Sequence, residues 1–179
     1  GRHINKELSN IYLVQDEEEA KVIQVQKPND LAIVTQTTLS VDDTKTIIET
    51  LKNRFPNINI PKKDDICYAT QNRQDAVKQL ALESDYIIVV GSTNSSNSNR
   101  LKELGEKCGC KSVLIDSFDD LNLSELDGKS RISITAGASA PEERVQEVAI
   151  ALKEYTGASV IEHGVGEENI YFKLPPKLR

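Results

Sequence analysis

The sequence predicts an α/β protein made of two similar small parallel-sheet βα domains and a C-terminal tail. Apolar runs typical of buried strands alternate with amphipathic helical patterns along the 179 residues. This β-α order favours parallel strands joined by helical crossovers. Proline and charge interrupt the pattern near 61–63. We therefore expect one unit over residues 1–63, a second over 64–155, and a tail with short strands over 156–179.

The first unit is short of strands. Its apolar runs predict strands only at Ile11–Val14 and Leu31–Val34. Acidic residues at its start favour a helix over Asp16–Ile23. A Ser-x-x-Asp capping signal and apolar residues at helical spacing predict a longer helix over Ser40–Phe55, and Pro56 ends it.

The second unit contains a complete set of alternating elements. Tyr86–Val90 is the strongest strand, because a run of apolar residues is typical of a strand that is covered on both faces. Pro141–Tyr155 is the clearest helix, with apolar residues that recur at i, i+3, i+4 and i+7. The other predicted strands are Asp65–Tyr68, Val113–Ile115, Arg131–Thr135, Ser159–Glu162 and Asn169–Leu174, and the other predicted helices are Gln71–Leu82, Asn97–Lys107 and the short Asp119–Leu126.

Composition narrows the class of protein. The net charge of −6 argues against a general nucleic-acid binder, which needs clustered Lys and Arg. No apolar run is long enough to span a membrane, and no signal peptide is visible. The three cysteines do not form a secreted disulfide framework, so we expect a cytoplasmic protein, or one of a plastid-type organelle if the source is eukaryotic. The start at Gly1 suggests a processed chain or a piece of a longer one.

Polar loops rich in hydroxyl and amide groups follow the predicted strands. In parallel sheets such loops lie at the carboxyl ends of the strands, where α/β proteins bind ligands. Helix capping alone explains any one of them, and Ser139 with Glu142 is itself a capping box. The run Gly91–Asn99 is longer than a cap requires, and its donors at a helix start suit a phosphate. The loops are 35–40, 67–72, 91–99 and 135–141.

Several familiar sites are missing from the sequence. There is neither a Walker A motif nor a G-x-G-x-x-G motif, and the loops hold no Lys, so the pattern indicates an anion held by neutral donors. Cys67 is either a small buried residue or a metal ligand or nucleophile, and a single cysteine does not decide between them. Cys108 and Cys110 favour core packing, because Cys108 is in phase with Leu101 and Leu104, and their one-residue spacing fits no usual metal site. His3 and His163 are far from the loops, which disfavours Ser-His or Cys-His catalysis.

Together, the loop sequences closely resemble the LytB-type family, the 4-hydroxy-3-methylbut-2-enyl diphosphate reductases. The resemblance covers nearly the whole chain and keeps the motifs in order. It rests on Thr35–Thr44, Asp65–Gln74, Asn94–Arg100 and Thr135–Pro141, together with Glu167–Ile170 and the ending Pro175–Arg179.

The resemblance implies three similar α/β domains around an iron–sulfur cluster, of which this chain resembles the second and third. It implies reductive dehydroxylation of 4-hydroxy-3-methylbut-2-enyl diphosphate to isopentenyl and dimethylallyl diphosphate, precursors of isoprenoids made by the non-mevalonate pathway. A ferredoxin or flavodoxin is the implied electron donor, with no nucleic-acid or membrane partner. Cys67 matches one of three ligands of a 4Fe–4S cluster, and Thr37 matches a catalytic threonine near the substrate hydroxyl, with Gln36 beside it. The matching substrate-binding positions are Thr38, Ser95, Ser96, Asn97 and Ser139.

The chain also departs from the family pattern. The family's other two cluster cysteines, its diphosphate-contacting histidines and its proton-relaying glutamate have no counterpart here, and Cys108 and Cys110 do not stand where the missing ligands belong. A single cysteine is too few for a cubane cluster. We therefore expect these residues to be an incomplete, inactive part of the enzyme. The alternative is a non-catalytic diphosphate-binding module.

Overall fold

The fold is described from a computed structural model, which covers residues 11–61 and 66–162. The predicted α/β class is confirmed: helices alternate with a parallel sheet. The helices are α1 (Glu17–Val22), α2 (Val41–Arg54), α3 (Tyr68–Glu83), α4 (Ser96–Lys107) and α5 (Glu142–Thr156), and the strands are β1 (Tyr86–Val90), β2 (Lys111–Ile115) and β3 (Ile132–Ala136). None of the helices in these two ranges is long and apolar enough to cross a membrane.

The sheet has the order β2-β1-β3, with β1 parallel to both of its neighbours. Every residue of β1 is buried, as the apolar run predicted. Alternate side chains of a strand face opposite sides of the sheet. Ile88 and Val90 therefore pack with Val148 of α5 on one face. Ile87 and Val89 pack with residues of α3 and α4 on the other.

Residues 11–61 contain a pair of helices with a small core. Ala20 of α1 packs with Leu51 of α2 and with Phe55, the residue that follows α2. The guanidinium of Arg54 donates hydrogen bonds to the carbonyl oxygens of Ala20 and Ile23, which ties the end of α2 to α1. The predicted cap of α2 is present, because the Ser40 hydroxyl accepts from the Asp43 amide at 3.3 Å.

The predicted strands of the first unit are wrong. Ile11–Val14 has no regular structure, and Leu31–Val34 keeps only one parallel bridge, between Ala32 and Asn59. A strand needs a neighbouring ladder for its backbone groups, and here only the short segment around Asn59 provides one. Leu31 and Ile33 still pack against the core of α1 and α2, whereas Val34 is 88% exposed, so the run is buried on one side only.

Beyond residue 64 the structure differs from prediction at three places. The strand expected over Asp65–Tyr68 is wrong where it can be seen: Cys67 precedes α3, because its carbonyl oxygen accepts from the amides of Thr70 and Gln71 and turns the chain into the helix. The single helix expected over Asp119–Leu126 is instead two short 3-10 turns, Phe118–Asp120 and Leu123–Leu126. Ser159–Glu162 is not a strand, and Asn169–Leu174 lies outside the described residues.

Candidate functional site

The candidate site lies at the carboxyl ends of β1 and β3. The chain leaves β1 for α4 and β2 on one side, and returns to pair β3 on the other side of β1. The strand order therefore reverses between β1 and β3, and open α/β sheets bind ligands in the crevice at such a point. Two of the predicted loops meet there, after Val90 and after Ala136.

Hydrogen bonds within the chain hold the loop after β1. The Ser95 hydroxyl accepts from the Ser98 amide at 3.3 Å and caps α4. The Asn99 carboxamide donates to the carbonyl oxygens of Thr93 and Ser95, at 2.7 and 2.9 Å. The capping interpretation therefore accounts for Ser95, and Asn99 holds the loop that leads to it. Ser96, the first residue of α4, is exposed at this helix start.

Capping does not account for Asn97. Its side chain is 5% exposed, and within the described residues neither its Nδ2 nor its Oδ1 atom has a hydrogen-bond partner. An unpaired buried amide costs about 1–3 kcal/mol, so a native protein rarely keeps one without a use. Asn97 is the second residue of α4, where free backbone N–H groups and the helix dipole favour an anion.

Ser139 lies in the loop after β3. The capping box expected with Glu142 is wrong: the N-cap of α5 is Pro141, and no side chain makes a capping hydrogen bond there. The exposed Ser139 instead lines a cleft of about 390 Å³ beyond the strand ends, together with Gly91 and Ser92. Arg144 and Asp116 also line this cleft, so one cation and one carboxylate stand nearby although the loops hold no Lys. The sequence signal for Arg144 was its place in the first turn of α5.

Cys67 is exposed at the start of α3, so its interpretation as a small buried residue is wrong. Its Sγ atom lies 3.2 Å from Oγ1 of the buried Thr70. The hydrogen bond from the Thr70 side chain, with backbone amides of the first turn of α3, lowers the pKa of the Cys67 thiol below its usual value. The thiolate is the form that binds metals and attacks electrophiles. Thr70, three residues on, was not identified from the sequence.

The other two cysteines are elsewhere. Cys110 is buried in the core, as expected, with its thiol donating to the Ser84 carbonyl at 3.3 Å, and burial raises its pKa. Cys108 is exposed, so its assignment to the core is wrong. Cys108 ends α4 and Cys110 directly precedes β2, so both lie at the amino edge of the sheet, whereas Cys67 is a helix length of about 24 Å from the start of β1. In the described ranges no three His, Cys, Asp or Glu residues form a metal site, and His3 and His163 lie outside those ranges.

The loop that carries Thr37 and Thr38 is joined to α3 by Gln74. The fully buried Gln74 carboxamide donates to the Leu39 carbonyl at 2.8 Å and accepts from the Val41 amide at 3.0 Å. Gln74 is seven residues from Cys67, about 10 Å along the helix. Thr37 is exposed and Thr38 is half-buried. This link could not be predicted from the sequence, because Gln74 has the polarity of an exposed helix residue.

The predicted site residues therefore form two groups. Ser95, Ser96, Asn97 and Ser139 come together at the carboxyl edge of β1 and β3. Cys67 lies at the start of α3, and the loop that carries Thr37 is joined to α3 through Gln74. Across the described residues no hydrogen bond joins Thr37 or Cys67 to Asn97 or Ser139.

Known proteins resemble the chain over nearly all of its length. It is 58% identical over 169 residues to a 4-hydroxy-3-methylbut-2-enyl diphosphate reductase of Pseudomonas putida, with 94% of the chain and 54% of the relative covered. It is 50% identical to the enzyme of the same name from Idiomarina loihiensis, with 100% of the chain and 57% of the relative covered. The chain thus spans about half the length of the curated relatives it matches.

A solved structure resembles the fold as well. The E-1-hydroxy-2-methyl-but-2-enyl-4-diphosphate reductase of Plasmodium falciparum superposes with a TM-score of 0.82 at 32% identity, over 93% of this chain and 53% of that one. The family model described as LytB protein matches residues 3–153. This match includes both groups of site residues. The chain belongs to the LytB protein family.

Proposed function

We propose that the chain is part of an iron–sulfur reductase that converts 4-hydroxy-3-methylbut-2-enyl diphosphate to isopentenyl and dimethylallyl diphosphate. The observation that carries the proposal is Asn97, a buried amide that finds no partner among the described residues, at a helix start beside the strand ends. A diphosphate offers acceptors for its Nδ2 group and for the backbone N–H groups of the first turn of α4. The names of the relatives supply the substrate.

The diphosphate lies between the start of α4 and the loop after β3 in this proposal. Ser95 accepts the Ser98 amide with its oxygen, so its hydroxyl hydrogen is available to donate. Ser96 and Ser139 are exposed there and add hydroxyl donors. These neutral donors, with Arg144 lining the neighbouring cleft, hold the anion and orient the rest of the substrate. Thr37 orients the substrate hydroxyl, with Thr38 in the same loop.

Cys67 fits a cluster ligand. It is exposed, and its thiolate form is favoured by the Thr70 hydroxyl and by the start of α3. When bound, the cluster supplies the two electrons for the reductive loss of the hydroxyl, and the donor that feeds it is a ferredoxin or flavodoxin. One cysteine holds one corner only, so the other ligands are not among the described residues and these 179 residues alone are inactive.

The test compares the native gene product that contains this chain with its Cys67→Ser variant, prepared without oxygen. We expect the wild type to form both product diphosphates and the variant to lose turnover and cluster absorbance. Because Cys67 is not among the anion donors, the variant should still bind inorganic diphosphate. Cys108→Ser is the matched control, since Cys108 is exposed at the other edge of the sheet. Diphosphate binding by a wild type that never turns over would instead indicate a non-catalytic diphosphate-binding module.

A further inference from the structure

Ser98 is a fully buried hydroxyl next to the proposed site. It is 0% exposed, and its Oγ atom finds no hydrogen-bond partner within the part of the chain that the structure describes. Its backbone N–H is already used by the Ser95 cap. The Ser98 side chain is packed tightly inside the protein, so we consider the space that it fills.

The space that Ser98 fills is left by two glycines, which have no side chains of their own. A methyl group built on Gly91 would overlap Ser98 Oγ and lie 3.1 Å from its Cβ atom. A methyl group built on Gly137 would also overlap Oγ and lie 3.3 Å from Cβ. The Ser98 side chain therefore occupies the place of both missing side chains. We call this arrangement of Gly91, Ser98 and Gly137 the serine key.

The serine key connects the two sides of the proposed site, which are the start of α4 and the loop after β3. The Gly91 amide donates to the Ile115 carbonyl at 2.8 Å, and the Gly137 amide donates to the Val90 carbonyl at 2.9 Å, so both glycines are fixed to the sheet. Ser98 follows Asn97 directly, and Ser139 is two residues beyond Gly137. Any change in the fit of Ser98 therefore moves the start of α4 against the loop after β3.

We propose that Ser98 is a positioning residue whose side chain, seated between Gly91 and Gly137, sets the distance between Asn97 and Ser139 and so the fit of the bound diphosphate. This inference rests on the proposed function. It goes further in assigning a role to a residue that the proposed function does not include. Misplacing a binding group by about 1 Å can cost on the order of a hundredfold.

The test is a double-mutant cycle in the native gene product, made of Ser98→Ala, Gly137→Ala and the pair together. Gly137→Ala alone forces the two sides apart, and we expect KM for the substrate and Kd for inorganic diphosphate to rise by about tenfold or more. In the double variant the new methyl group takes the space that Oγ leaves, at 3.3 Å from Cβ of residue 98. We expect it to restore both constants to within about threefold. Ser98→Ala alone should have the smaller effect.

A second close contact between a glycine and a serine, which also involves α4, gives a matched control. A methyl group on Gly105 of α4 would overlap Oγ of Ser112, the second residue of β2, and lie 3.2 Å from its Cβ atom. Gly105 is seven residues from Ser98, about 10 Å along the helix. Gly105→Ala, alone and with Ser112→Ala, should change the free energy of unfolding but leave KM and Kd as in the wild type.

Each outcome decides the inference. Recovery of KM and Kd in the Ser98→Ala/Gly137→Ala pair, without any such effect in the Gly105 pair, supports it. A loss of stability in Gly137→Ala with unchanged KM and Kd would overturn it, because Ser98 would then be structural only. Failure of the double variant to recover either stability or KM would show that the Ser98 side chain and Gly137 do not fit together as described, which would overturn the inference. If the wild type neither binds diphosphate nor turns over, the proposed function fails first, although recovery of unfolding free energy still reports the steric fit.

Discussion

Replacing Asn97 by alanine should make the protein more stable and a weaker binder of diphosphate. The carboxamide is buried, and its two polar atoms have no partner in the described structure. In the absence of ligand this burial costs about 1–3 kcal/mol. Alanine removes that cost but leaves a small void worth about 1 kcal/mol, the typical loss for a point substitution. The expected net gain in the free energy of unfolding is about 1 kcal/mol.

The loss in binding should be larger than the gain in stability. A hydrogen bond to a charged group contributes about 1.5–3 kcal/mol. Its removal should weaken diphosphate binding by about 10- to 150-fold. If the interaction is equal in the ground and transition states, KM rises while kcat is unchanged.

Thermal unfolding without ligand and calorimetric titration with inorganic diphosphate measure the two effects. We expect the Tm of Asn97→Ala to rise by about 2–4 °C. Asn94→Ala is the matched control, because Asn94 is exposed in the same loop and its replacement should change stability by no more than about 0.5 kcal/mol. A lower Tm for Asn97→Ala together with wild-type diphosphate affinity would refute the reasoning, since the amide would then serve packing and not a ligand.

Two further substitutions test the loop after β1 and the amino edge of the sheet. Asn99→Ala removes the two hydrogen bonds to the carbonyl oxygens of Thr93 and Ser95. We expect it to lower the free energy of unfolding by about 1–2 kcal/mol and to raise KM. An unchanged KM would show that the loop keeps its shape without these bonds. The Asp85 carboxylate accepts hydrogen bonds from the backbone amides of Ser130 and Arg131. These bonds lower the pKa of Asp85, and the bond from Arg131 has the larger effect. A lowered pKa means that the carboxylate stabilises the fold above about pH 4 and stops doing so as pH falls through the folded-state pKa. Asp85→Asn should therefore destabilise the protein at neutral pH, with a difference that shrinks in acid, and a pH-independent difference in urea denaturation would contradict this.

The second unit was predictable because its signals are local and strong. The apolar run Tyr86–Val90 could only be a covered strand, and the helical spacing of Pro141–Tyr155 matched α5 closely. The first unit was not predictable, because within residues 11–61 and 66–162 the apolar runs Ile11–Val14 and Leu31–Val34 find no partner strand beyond the single Ala32–Asn59 bridge. A pairing partner is a property of the whole fold, and no local pattern contains it.

Some features of the candidate site were also predictable from the sequence, and others were not. The polar loop after β1 was evident from its composition, and the cap formed by Ser95 followed from its position before a helix. The burial of Asn97, the Gln74 link to the Thr37 loop and the seat of Ser98 against two glycines were not evident. Each depends on contact between residues that are distant in sequence or on a close approach of backbones, which residue type alone does not specify.

The central claim is that the substrate's diphosphate binds between the start of α4 and the loop after β3. A crystal structure of the native gene product with 4-hydroxy-3-methylbut-2-enyl diphosphate tests it most directly. We expect phosphate oxygens within about 2.7–3.2 Å of Asn97 Nδ2, with the Ser139 hydroxyl on the same anion. A diphosphate bound elsewhere, with the Asn97 amide still unpaired, would contradict it.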